Sequence, residues 1–149
     1  MRMHLALGVV MTLIALTLEL VLARAGIHVD LAFAALISFA LVLSLPELLI
    51  LILISVLVLN WQPGVTAEML VLAVYPLAVH GLRRFFHVGH WIENALAVLV
   101  GVVVLYVIVA PGAIIEYPRL FLIDLAAAEL FVAIFIWCML TVNGTRRSI

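Results

Sequence analysis

Read as apolar and polar positions, the chain falls into long apolar runs parted by short polar breaks. The first run, 3–23, closes at "RAGIHVD", where Arg24, Gly26 and Asp30 form a loop signature. From Leu31 to Leu59 the apolar stretch is almost unbroken. It is too long for one bilayer span and short for two, since a helical span needs about 20 residues. "SLPEL" divides it. Pro46 cannot extend the helix behind it, and Ser44 and Glu47 suit a helix start. The reading is two short spans, 31–45 and 46–59, with one long kinked helix as the rival. "NWQPGVT" marks a turn, after which runs follow at 67–82, with Pro76 as a kink, at 92–110 and at 119–142. The pattern predicts an all-α bundle of about six transmembrane helices.

Composition sets the solvent. Hydrophobic residues make up 69% of the 149, charged residues 10%, and the mean hydropathy is +1.46. A water-soluble domain of this size cannot hide that much apolar surface. The chain is read as a single integral membrane domain over 1–149, with lipid as its first partner. No internal repeat or linker interrupts it. The sole cysteine, Cys138, excludes an intrachain disulfide. The first run lacks a small-residue cleavage site leading into a polar chain, so a retained helix is expected.

Charge gives an orientation. Every basic residue is arginine: Arg2, Arg24, Arg83, Arg84, Arg119, Arg146 and Arg147. Six spans put five of these on one side and leave Arg24 and Arg119 on the other. Arginine-rich short loops stay in the cytoplasm, so both termini are expected there, in a multi-pass protein of the inner (plasma) membrane. A five-span chain would split the arginines less cleanly. The acids lean the opposite way. Asp30, Glu68 and Glu116 fall in or beside outer loops, Glu19 and Asp124 lie about one turn inside the outer edge, and only Glu47 and Glu93 fall on the inner side.

Acids within apolar helices carry the most information. Glu129 stands ten residues beyond Arg119, about 15 Å along a helix. A charged acid near the middle of a bilayer costs on the order of 2.5–3.5 kcal/mol. Ala126, Glu129 and Ala133 share one helical face, the pairing of small and polar residues that close helix contacts use in lipid. Two readings stay open: a buried acid hydrogen-bonded to a neighbouring helix, or a contact to a ligand, a proton or a partner subunit. Asp124 lies about 140° around that helix from Glu129, so the two are not one catalytic pair. Glu129, Asp124, Glu19 and Glu68 are the candidate ligand or helix-contact residues.

The stretch "HGLRRFFHVGHWIEN" raises metal chemistry, since His87, His90 and Glu93 recur every three residues. Two imidazoles and a carboxylate suit zinc or iron in kind. The spacing is not the His-Glu-x-x-His of zinc helices, Gly89 weakens a helix there, and Arg83 and Arg84 oppose a divalent cation. Membrane anchoring by Arg83, Arg84 and Trp91 at the inner interface is the stronger reading. No metal or other cofactor is expected. The chain has no Gly-x-Ser-x-Gly, P-loop or dinucleotide glycine pattern, so neither an enzyme nor a nucleic-acid binder is expected. The sequon Asn143-Gly144-Thr145 falls on the inner side, where it is silent.

Two stretches carry a family resemblance. "LELVLARAGIHVDLAFAALISFAL" has a polar residue late in the first helix and then a loop into an apolar run. "SVLVLNWQPGVTAEMLVLAVYPLAVHGLRR" has a helix ending in a polar residue, a Pro-Gly turn and a helix running to arginine. Over roughly residues 5–85 this pattern resembles the rod shape-determining protein MreD family. That family has Asp in a Gly-Leu-x-x-Asp context before the turn, where this chain has Asn60 and no glycine. The resemblance implies a non-enzymatic subunit of the cell-elongation machinery. Its partners would be an MreC-like protein and a peptidoglycan glycosyltransferase and transpeptidase. Two alternatives remain. One is a small-solute-binding subunit like the substrate-capture components of energy-coupling factor transporters, which would hold a solute among the outer acids. The other is a metal-dependent membrane enzyme centred on His87, His90 and Glu93.

Overall fold

The structure, a computed structural model, describes residues 2–25, 29–59, 66–85 and 90–144, with side chains from residue 5 to 138 apart from His90. Among these residues every regular element is helical. The elements are α1 (Arg2–Arg24), α2 (Leu31–Ala40), α3 (Leu45–Leu59), α4 (Ala67–Leu82), α5 (His90–Val109), α6 (Ala113–Glu116) and α7 (Pro118–Gly144). A 3-10 turn at Arg83–Phe85 follows α4. Three helices are long and apolar enough to cross a membrane, over Leu5–Arg24, Trp91–Val109 and Pro118–Cys138. They fall on the expected runs 3–23, 92–110 and 119–142. The short α6 was not expected and occupies part of "GAIIEYP".

The stretch 31–59 forms two helices and not a single kinked one. α2 stops at Ala40 rather than at Leu45, and a turn over 41–44 leads into α3. In that turn Val42 and Leu43 both donate their N–H to Phe39 O, at 3.0 and 2.8 Å. Ser44 then opens α3, donating from its backbone N–H and its hydroxyl to Glu47 Oε2 at 3.1 and 2.6 Å. This is the reach-back half of a capping box. Pro46 sits in the first turn of α3, where no intrahelical donor is needed. α4 starts on Thr66, whose Oγ1 accepts from Met69 N–H at 3.2 Å, and runs through the buried Pro76.

All ten residues of α2 are buried. The helix packs against α1, α3, α4, α5 and α7. Its sequence explains the position: "LAFAALISFA" is apolar on every side, and such a helix is stable only when enclosed. Four alanines let its neighbours come close. At about 15 Å, α2 has roughly half the length of a bilayer's hydrocarbon core.

Contacts at its two ends fix the directions of the other helices. Glu19 late in α1, Glu68 early in α4, Tyr106 late in α5 and Asp124 early in α7 gather around Asp30 at the N-terminus of α2. Gly8 early in α1, His80 and Arg83 closing α4, and Phe135 late in α7 meet its C-terminal end or the turn beyond it. Hence α1, α3 and α5 run towards the acidic end, and α2, α4 and α7 run away from it. The middle of the bundle closes on Gly101. A Cβ there would lie 2.5 Å from Ile37 Cδ1 and 2.8 Å from Tyr75 Cε1. The Tyr75 ring has little freedom to retreat. Its hydroxyl donates to Ala97 O at 2.9 Å, and its centroid lies 5.7 Å from that of Phe33.

Candidate functional site

A buried helix cannot leave its terminal backbone groups to water, so other elements must supply partners. Asp30 holds the N-cap position of α2 but makes no side-chain capping bond. Two distant carboxylates do the work. Ala32 N–H donates to Glu19 Oε2 at 2.9 Å, and Asp30 N–H donates to Asp124 Oδ1 at 2.9 Å. Bases serve the opposite end. Ala40 O accepts from His80 Nδ1 at 2.9 Å. A carbonyl only accepts, so Nδ1 carries the hydrogen. Leu43 O, in the following turn, accepts from Arg83 Nη1 at 2.9 Å. Acids at the N-terminus and bases at the C-terminus match the sign of the helix dipole.

The acidic end has capacity left over. Asp124 has no exposed surface, yet its Oδ2 has no hydrogen-bond partner. Its carboxyl faces the Asp30 carboxyl and the Tyr106 hydroxyl. Tyr106 is held edge-on by Phe121, with ring centroids 5.0 Å apart. Burial, and then the charges of Asp124, Glu19 and Glu68, push the Asp30 carboxyl up to about 8. Asp30, Glu68, Leu105, Tyr106, Val109 and Ala110 bound a cavity of about 230 Å³ here. A second hollow, of about 340 Å³, follows the seam of α4 and α5, where Ala67, Leu70, Val74, Ala78, Val104 and Ile108 are among its lining residues. The two adjoin: Ala67 and Glu68 are consecutive on α4, and Ile108 and Val109 on α5.

The four acids singled out from sequence therefore separate. Glu68 is exposed and borders the cavity. Glu19 and Asp124 stand behind it as partners of α2. Glu129 lies five residues beyond Asp124 on α7, about 7.5 Å along the axis. Its Oε1 is buried and makes no hydrogen bond. Ala126 and Ala133, on the same face, are exposed among the described residues.

At the basic end, Arg83 holds the carbonyl after α2. Arg84 lies over the Phe85 ring at 4.8 Å, and Trp91 is 63% exposed at the start of α5. Of the metal candidates, His87 and the side chain of His90 lie outside the described residues, and Glu93 is buried in the first turn of α5. Among the described residues, no group of three His, Cys, Asp or Glu side chains could hold a metal ion.

Three contributors went unrecognised in the sequence. Asp30 read as a loop acid, and neither Tyr106 nor His80 was singled out. An aspartate directly before an apolar helix is a signal for an N-cap. The partnership of Glu19 and Asp124 leaves no such trace, because it spans 94 residues in one case. Compared with family models, with curated proteins and with solved structures, the chain matches none.

Proposed function

We propose that this protein is a non-enzymatic scaffold subunit of a membrane assembly, with a role similar to that of the rod shape-determining protein MreD. In this reading the six apolar segments make six passes through the inner membrane, the short α2 enclosed by the others, and both termini lie in the cytoplasm. The observation that carries it is the open apolar hollow along α4 and α5. A scaffold needs such a surface, where small residues let a partner helix approach closely. The acids add support. Glu19 and Asp124, which a solute site would have used, hold the backbone of α2 instead. Partners would be a bitopic MreC-like protein and the glycosyltransferase and transpeptidase of wall elongation.

A second reading, a small-solute-binding subunit, draws on the cavity at Asp30 and Glu68. Depletion of the protein in its own cell separates the two. The scaffold reading expects loss of cell elongation and stoichiometric recovery of the tagged protein with a second membrane subunit. Unchanged cell shape together with recovery of the chain alone would overturn it. A growth defect cured by one added solute would instead favour the second reading.

A further inference from the structure

Resting on the scaffold reading, we infer that the α4–α5 seam is the seat of one transmembrane helix of a partner protein, and that this helix carries a lysine or arginine at its acidic-end terminus, lodged in the cavity at Asp30, Glu68 and Tyr106. The seam and the cavity lie side by side along α4 and α5 and differ in chemistry: Ala67 and Ile108 line the one, Glu68 and Val109 the other. Along α4 the apolar part extends from Ala67 to Ala78, about three turns or 16 Å. Leu70, Val74 and Ile108 on its walls are all more than half exposed. Nothing among the described residues covers them. Small residues at Ala67 and Ala78, at either end of the hollow, let the backbone of a neighbouring helix approach closely.

Charge selects the occupant. At its upper end the seam opens onto Asp30 and Glu68, with Tyr106 as an aromatic wall. Asp124 Oδ2, fully buried and without a hydrogen bond of good geometry, faces the Asp30 carboxyl and the Tyr106 hydroxyl from behind. Four carboxylates approach this point from α1, the α1–α2 connection, α4 and α7, and no basic side chain among the described residues forms a bond with them. A cation at the end of an apolar rod would answer both parts. Lysine and arginine do this readily, because their apolar stems lie along the helix while the charged head reaches outward. A bound metal ion does not fit this place, since no three acids are close enough to hold one.

The test uses the full chain in its native membrane, with photoreactive benzoylphenylalanine at Val74 and, as a control, at Leu122 on α7. Irradiation is expected to give one discrete adduct from Val74. Its partner peptide should be a membrane-spanning segment with lysine or arginine within about one turn of its outer end. Glu68→Gln should lower the yield from Val74 by about tenfold, the size of one interhelical polar contact, and leave any product from Leu122 unchanged. Glu68 is exposed, so this variant does not put folding at risk. Adducts only to lipid, only to a second copy of this chain, or to a segment lacking a basic end would overturn the inference, and so would no adduct at all. If the chain still co-isolates with its partner after such a result, the scaffold reading stands and the seat lies elsewhere.

Discussion

At the scale of single residues, Gly101 and Asp30 carry the sharpest consequences. Gly101→Ala places a methyl group 2.5 Å from Ile37 and 2.8 Å from Tyr75. Overpacking of this kind costs about 1–3 kcal/mol, so the purified variant should show a lower thermal midpoint in detergent. Gly8→Ala is the milder comparison, since its Cβ would meet Leu51 Cδ1 at 3.2 Å, the end of a flexible side chain, and Leu43 Cδ1 and Phe39 Cε1 at 3.4 and 3.5 Å. Asp30 gives a pH dependence. Its folded-state value of about 8 stands above the ordinary 3.8, so the folded protein binds the proton more tightly than the unfolded chain does. This contribution favours folding fully below about pH 4 and is lost as pH rises through about 8. Thermal midpoints measured across that window should fall with rising pH, and Asp30→Asn should flatten the curve. The facing groups that set the slope are Glu19, Glu68, Tyr106 and Asp124. A cation seated in the cavity would draw the proton from Asp30, so the adduct from Val74 should also form better at higher pH.

At the scale of elements, α2 and its four tertiary caps form the unit. Asp124→Ala would leave the Asp30 N–H buried without an acceptor, at a cost of about 1–3 kcal/mol. Asp124→Asn keeps an acceptor oxygen and should lose less; equal losses in chemical unfolding would refute the capping role. The helices themselves were legible in the sequence, because apolar run length and punctuation are local signals. Pro46 with Ser44 and Glu47 divided α2 from α3 correctly. The end of α2 was not legible. Leu41, Val42 and Leu43 are as apolar as the helix before them, and only the turn onto Phe39 O separates them. The site was half legible. Placing acids inside apolar helices pointed to Glu19 and Asp124, but which backbone they serve depends on packing between α1, α2 and α7. Glu129 drew attention for the same reason, yet it has not joined the others.

At the scale of the whole molecule, the alternating directions of the helices turn the six-span reading into a labelling experiment. In a chain with Cys138 replaced by serine, single cysteines at Arg24 and Arg119 should react with an impermeant maleimide in intact cells. One at Arg84 should react only after the membrane is opened. The reverse result would invert the orientation, and a split between Arg24 and Arg119 would remove a span. The enclosure of α2 also bears on biogenesis. A helix of ten residues is too short to cross the bilayer alone, and its end groups lack a partner in the membrane until Asp124 of α7 arrives. Its walls include α5 and α7, which leave the ribosome last. Nascent chains that stop after α4 should therefore hold α2 only loosely, expose its ends to the membrane interior and be favoured substrates for membrane proteases. Full-length chains, once α7 has closed over Asp30, should escape them.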